Sequence, residues 1–164
     1  MSYHIYTTEG IVLRQSPLRE ADRIYSIFTE ELGLISATAN GVRKESSKLR
    51  GSLEPLSLSK ISLVKGREYW RITSAIYERT IPRDFVQPFS LLEKLVRGEE
   101  RNPELFQIIV DSIRQHKEHD QMFEPHLVSR ILYHLGYMRR EDLNLDKKNL
   151  IQAINRGIEA SHLV

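Results

Sequence analysis

The hydrophobic period of this chain changes once, and that change restricts the fold more than any single residue does. From residue 3 to 79 the sequence is rich in Ile, Val, Thr, Tyr and Ser, with turn signals roughly every ten residues, the signature of a small all-β barrel or sandwich. Beyond Ile81-Pro82-Arg83 the apolar residues recur at three- and four-residue intervals, the period of helices. The pattern predicts a β domain over 1–80 followed by an α-helical domain over 81–164. The break at 80–83 is too short for a flexible linker, so the two parts are expected to dock. With 164 residues and 40% hydrophobic content, the chain suits one ordinary domain or two small ones sharing a core.

Five strands can be placed in the first part. The first covers about 4–15, and Gly10 inside it suggests a bulge at a bend. The second covers about 22–30 and ends in the turn Glu31-Leu32-Gly33. The third, from Leu34 to Val42, alternates cleanly, with Ile35, Ala37 and Ala39 on one face and Ser36, Thr38 and Asn40 on the other. In the fourth, about 56–64, Leu56 and Leu58 share one phase and Ile61 and Leu63 the other, as where a strand coils between two sides of a barrel. Lys65-Gly66-Arg67 then turns into the fifth, about 68–78, which carries Tyr69, Trp70, Arg71, Ile72 and Ile76. Five strands in so short a segment suit an OB-fold barrel, whose binding face lies on strands two and three and on the loops joining strands one to two and four to five. An SH3-like barrel is the competing topology.

The helical part opens with a weaker pattern at about 84–97. Asn102-Pro103-Glu104 is a strong helix start, with Asn as N-cap and Pro at the first helical position, and Leu105, Ile108, Ile109 and Ile113 follow on one face. Pro125 is expected to open the next helix, whose stripe of Leu127, Val128, Ile131, Leu132 and Leu135 ends at Gly136, a C′ glycine. A last helix is placed at about 146–160.

The formal net charge of +2 is modest, but it is unevenly spread. From Gly41 to Arg71 eight Lys and Arg face three Glu, whereas from Ile81 onward twelve Lys and Arg face thirteen Asp and Glu. The β part is therefore the candidate polyanion binder. The absence of cysteine excludes disulfides and thiolate metal sites, and no export signal or apolar run of membrane-spanning length is present. The chain reads as cytoplasmic, with no membrane partner.

Catalysis has no candidate residue. His116-x-x-His119 beside Asp120 has ligand-like spacing, but it sits in a charged run at a helix end, and a metal site needs three convergent ligands with supporting partners. His134, next to Tyr133 in an apolar helix, reads as packing. No phosphate-cradling glycine run, nucleophile elbow or paired carboxylate motif appears, so neither a metal nor a cofactor is expected.

Binding to a polyanion has several candidates. The segment Gly41-Val42-Arg43-Lys44-Glu45-Ser46-Ser47-Lys48-Leu49-Arg50-Gly51 concentrates basic and hydroxyl side chains between two glycines, a composition suited to phosphate contact, although a charged loop is commonly just solvated. Arg14, Arg19 and Arg23 flank the first barrel loop, and Lys65 and Arg67 lie in the fourth-to-fifth loop. In an OB-like barrel those two loops border one groove, with Arg43, Lys44, Lys48 and Arg50 near it. Tyr25 and Phe28 are candidate base-stacking platforms, set against the more common role of a barrel-strand aromatic as core. Trp70 reads as packed.

The order of motifs resembles the RecO family of bacterial DNA repair and recombination mediators. The resemblance is carried by Gly10-Ile11-Val12-Leu13, Arg19-Glu20-Ala21-Asp22-Arg23, Thr29-Glu30-Glu31-Leu32-Gly33, Ala39-Asn40-Gly41-Val42-Arg43-Lys44 and Leu49-Arg50-Gly51-Ser52-Leu53-Glu54-Pro55, in order across the first 55 residues. It implies an OB-fold N-terminal domain, a helical C-terminal domain, and binding of single- and double-stranded DNA without sequence preference. It further implies strand annealing, help in loading the recombinase, and two partners, a RecR-type mediator and the single-strand-binding protein. Many members carry a four-cysteine zinc site after a segment similar to Leu132-Tyr133-His134-Leu135-Gly136-Tyr137; here there is no cysteine, and a short form lacking the zinc module is expected. Two other readings stand beside this one: a protein-interaction adaptor with little DNA affinity, and an RNA-binding OB barrel.

Overall fold

A computed structural model describes residues 3–162. The outermost positions of the expected domains, Met1, Ser2, Leu163 and Val164, lie outside the described residues. Strands β1 (Ile5–Pro17), β2 (Arg23–Thr29), β3 (Gly33–Ala39), β4 (Ser57–Lys65) and β5 (Trp70–Thr80) form a closed barrel in the order β1-β2-β3-β5-β4. All pairings are antiparallel except that of β3 with β5, which closes the barrel in parallel at Ala37–Trp70 and Thr38–Arg71. A plain meander would set β4 beside β3. The exchange of β4 and β5 gives the Greek-key closure of an OB fold and sets aside the SH3-like alternative.

The period-2 alternation of β2 and β3 fills this barrel. Tyr25, Ile27, Ile35, Ala37 and Ala39 point inward with Val12, Ile61, Leu63, Trp70 and Ile72, all of them buried. Tyr25 and Trp70 are both paired with Ala37, so the two large rings flank a methyl group, a large-small-large row that fits a narrow barrel. Each fully buried Ile, Leu or Val contributes roughly 1.5–3 kcal/mol, which makes the alternating strands the main source of stability in this unit.

Gly10 is not a bulge. It pairs regularly with Thr29 on one side and Ser59 on the other, and the irregularity in β1 falls between Val12 and Arg14. Gly10 instead marks the stretch where β1 passes from pairing with β4 to pairing with β2. The phase switch in β4 coincides with a register shift between Leu58 and Ser59. As a result Leu58 is buried opposite Ile11, which pairs in turn with Phe28, while Ile61 and Leu63 face the barrel interior.

Two units are distinguishable. The first runs through Pro82 and also takes in Gly98–Phe106, a segment beyond the 80/81 boundary read from the sequence; the second comprises Arg83–Arg97 and the residues from Gln107 on. The helices are α1 (Val86–Leu95), α2 (Pro103–Arg114), α3 (Phe123–His134) and α4 (Lys147–Ala160). Asn102 caps α2 as expected, its Oδ1 accepting the Leu105 N–H at 3.1 Å. Helix α3 starts at Phe123, earlier than Pro125, because Asp120 Oδ1 accepts the Met122 N–H at 2.9 Å and Pro125 is tolerated within a first turn. Gly136, at φ +85°, ends α3 in a Schellman motif, with Tyr137 N–H donating to Leu132 O and Gly136 N–H to Tyr133 O. In the second unit α1, α3 and α4 bury Leu95, Val128, Leu132, Leu150, Ala153 and Ile154. Among the described residues no helix is long and apolar enough to cross a membrane.

Candidate nucleic-acid interface

The outward phase of β2 and β3 carries Ser26, Ser36 and Thr38 with Ile24 at one end, and Phe28 and Leu34 at the other. Ser26 pairs with Ser36 and Ile24 with Thr38, and the rows extend to Arg14 opposite Ser26 and to Arg71 beside Thr38. Arg14 and Arg71 are exposed. The result is a low, hydroxyl-bearing surface between two guanidinium groups, on the strands where OB folds receive their ligands. Arg71 was missed in the sequence reading. The strand's inward neighbours Trp70 and Ile72 were the signal that would have placed it outside.

The basic loop between β3 and β4 is folded, and its apolar residues explain how. Val42 and Leu53 are fully buried in the barrel core and Leu49 packs against it, so three anchors hold the chain while Arg43, Lys44, Lys48 and Arg50 between them stay exposed. Successive turns join Lys44 N–H to Gly41 O and Ser47 N–H to Lys44 O, Ser47 Oγ accepts the Leu49 N–H at 3.2 Å, and a 3-10 turn covers Arg50–Ser52. The loop is also stitched to the β1–β2 loop. Asp22 Oδ1 accepts the Gly41 N–H at 2.7 Å, Arg43 N–H donates to Ala21 O at 3.0 Å, and the Arg43 guanidinium reaches Arg19 O at 3.4 Å. Arg19 and Arg43 are thereby brought together on one rim, and Asp22 spends its charge on a backbone amide and on Arg19 at 3.9 Å. Among the described residues Lys44, Lys48 and Arg50 have no ion-pair partner.

Arg23 is committed differently. Its guanidinium donates to Gln15 Oε1 at 2.9 Å and lies beside the Tyr25 phenol. Burial pushes that phenol's pKa above its ordinary value, and Arg23 pulls it partly back. The β4–β5 hairpin carries the remaining two candidates. Lys65 sits over the Trp70 ring, 5.1 Å from its centroid, and 3.8 Å from Glu99 Oε2, while Arg67 is exposed in the turn. This turn requires glycine at its first position: a Cβ on Gly66 would lie 2.2 Å from Tyr69 O, which accepts the Gly66 N–H.

Neither proposed stacking platform is available. Tyr25 is in the barrel interior at 1% exposure. Phe28 has the outward phase but is fully buried, because Phe106 lies over it with ring centroids 5.8 Å apart. The exposed aromatics are elsewhere: Tyr3 and Tyr77, and, beside Trp70, Tyr6 and Tyr69 at 37% and 38% exposure. Tyr6 is edge-on to Trp70 at 5.1 Å. The alternation Arg67-Glu68-Tyr69-Trp70-Arg71 was the sequence signal for this end. Of the two histidines with ligand-like spacing, His116 is buried against Phe85 and Phe123 with Nε2 3.1 Å from Asp84 Oδ2, whereas His119 is exposed in a turn at φ +66°. Among the described residues no group of three or more His, Asp or Glu is placed to hold a metal ion.

Residues 1–80 match the family described as "Recombination protein O N terminal". Curated relatives called "DNA repair protein RecO" include one from a Synechococcus strain, 33% identical over 82% of this chain and 54% of its own length. One from Frankia casuarinae is 38% identical over 67% of this chain and 50% of its own length. A Dehalococcoides mccartyi relative reaches 44% identity over 44% of this chain and 28% of its own length. The chain spans about half the length of the curated relatives it matches. The five-stranded closure, the anchored basic loop within residues 1–80 and these likenesses converge on one assignment: the chain belongs to the RecO family.

Proposed function

We propose that the barrel binds the sugar-phosphate backbone of single- and double-stranded DNA without sequence preference, and that the protein serves DNA repair and recombination as a non-catalytic mediator. In that role it assists strand annealing and recombinase loading, with a RecR-type mediator and the single-strand-binding protein as partners. The observation that carries the reading is the basic loop: Arg43, Lys44, Lys48 and Arg50 stand exposed because Val42, Leu49 and Leu53 between and beside them are held in the core. Point charges on an anchored loop neutralise phosphates without reading bases, since phosphate contacts position a nucleic acid and base-edge contacts specify it. The relatives' shared name supports the repair context.

Fluorescence anisotropy with a single-stranded oligonucleotide at low and moderate salt tests this. Binding should weaken steeply with salt as released counterions are lost as a driving force. Absence of binding at low salt, or affinity indifferent to salt, rejects it. Competition with matched RNA separates the RNA-binding alternative, because discrimination would rest on the 2′-hydroxyl.

A second reading, a protein-interaction adaptor, is favoured by one feature of the helical unit. Leu91, Val128, Ile151, Ile154 and Ile158 line an open groove of about 400 Å³ between α1, α3 and α4. Failure to bind DNA together with an intact fold would move the assignment to that groove.

A further inference from the structure

We propose that Lys65 and Trp70 form an anion site for one nucleic-acid phosphate, and that the chain's own Glu99 fills it in the free protein. The site rests on the backbone-binding reading above and extends it to the β4–β5 hairpin. Trp70 is 4% exposed, held in the barrel core and edge-on to Tyr6, so its indole N–H points in a fixed direction and needs an acceptor. That acceptor is Glu99 Oε1, at 2.9 Å. The other oxygen of the same carboxylate lies 3.8 Å from Lys65 Nζ, and Lys65 is itself placed over the Trp70 ring. Two donors that cannot accept, one neutral and one charged, thus converge on a pair of anionic oxygens, an arrangement that serves two oxygens of a phosphate equally well.

Glu99 is a replaceable occupant. Its side chain is 49% exposed and that of Lys65 67%, so withdrawing the carboxylate uncovers no core, and exposed ion pairs of this kind are weak. It is delivered by a segment pinned immediately after it: Glu100 lies against Gly33 so closely that a Cβ there would come within 2.4 Å of Glu100 O, and Arg101 pairs with Glu31 at 3.1 Å. The location favours a strand of nucleic acid. Trp70 pairs with Ala37 of β3, its carbonyl accepts a bond from Thr38 Oγ1, and Arg71 follows on the hydroxyl-bearing face. A backbone crossing that face would meet Lys65 next, with the exposed Tyr69 and Tyr6 beside it for unpaired bases to stack on.

The test uses Glu99→Gln, which keeps an acceptor for the indole and removes only the charge, with Glu100→Gln as a neighbour of equal charge change. Single-stranded oligonucleotide binding is followed by anisotropy and by the emission of Trp70, the one tryptophan of the chain. Glu99→Gln should bind about threefold to tenfold tighter at low salt, with a log–log salt slope steeper by about 0.7, the value of one added phosphate contact. It should also show a larger change in Trp70 emission on binding. Lys65→Ala should abolish the gain, so that the Lys65→Ala/Glu99→Gln double variant binds no tighter and with no steeper salt slope than Lys65→Ala alone. A Glu99→Gln protein with unchanged affinity and slope, a gain matched by Glu100→Gln, or a gain that survives Lys65→Ala each overturns the site. If the unaltered protein binds DNA through the loop and only these results fail, the site alone is wrong; if neither the unaltered protein nor Glu99→Gln binds at all, the backbone-binding reading falls with it.

Discussion

Replacing Arg43, Lys44, Lys48 and Arg50 together by Ala puts the loop assignment to its most direct trial. All four side chains are exposed, and the one bond lost among the described residues is the 3.4 Å contact from Arg43 to Arg19 O, so unfolding free energy should change by less than about 0.5 kcal/mol per site. The anchors Val42, Leu49 and Leu53 remain, and with them the loop's path. Each phosphate contact contributes about −0.7 to the log–log salt slope for single strands and about −0.9 for duplex, so four lost contacts flatten the slope by about 2.8 and about 3.6. A fourfold rise in salt then costs the variant roughly fiftyfold less single-strand affinity than it costs the unaltered chain. Anisotropy titrations across four salt concentrations measure this, with chemical denaturation confirming the fold. The formal net charge falls from +2 to −2, so a matched control is needed. Arg130, Lys147, Lys148 and Arg156, exposed in the helical unit, give the same charge change when replaced by Ala and should alter the slope by less than about 0.7. An unchanged slope in the loop variant, or an equal loss in the control, refutes local phosphate contact.

Two further outcomes bear on the frame that presents the loop. Phe28→Ala should cost about 3–5 kcal/mol in denaturant unfolding, because it empties a fully buried site beneath Phe106; a variant with normal stability and only weaker single-strand binding would restore Phe28 as a stacking platform. Asp22→Ala leaves the Gly41 N–H without its 2.7 Å acceptor and should destabilise the protein by about 1–3 kcal/mol, while Asp22→Asn, which keeps an acceptor oxygen, should recover most of that. Equal stability of the two variants would show that the loop does not depend on this tie.

The third strand shows what made the fold readable. Ile35, Ala37 and Ala39 alternate with Ser36 and Thr38, and because strand side chains have a period of two, such a run can bury only one face. The Asn102 cap and the Gly136 terminus were legible for a similar local reason: a cap is a contact within one turn, so its residues sit together in sequence. Gly10 misled because a glycine in a strand has more than one cause, and only the two partners of β1 distinguish a bulge from a passage between neighbouring strands. Pro125 misled because proline is tolerated throughout a first turn, and the turn at Asp120, whose Oδ1 accepts the Met122 N–H, leads the chain into α3 two residues earlier.

By itself, then, the sequence determined the order and type of the elements, the inward face of β3, the basic character of the 41–51 loop, and through its ordered motifs the family. These are properties of period, local capping and composition, which neighbouring residues settle among themselves. Tertiary structure decided which candidates are accessible and which are spent. Phe28 has the phase of an outward residue and is buried by Phe106, seventy-eight positions away in the chain. Arg43 meets Arg19 across a loop-to-loop stitch, and Lys65, basic and exposed by composition, faces a carboxylate delivered from Glu99. Pairwise contacts between distant segments have no period and leave no local mark, so the availability of a charge or a ring is known only when the chain has folded over it.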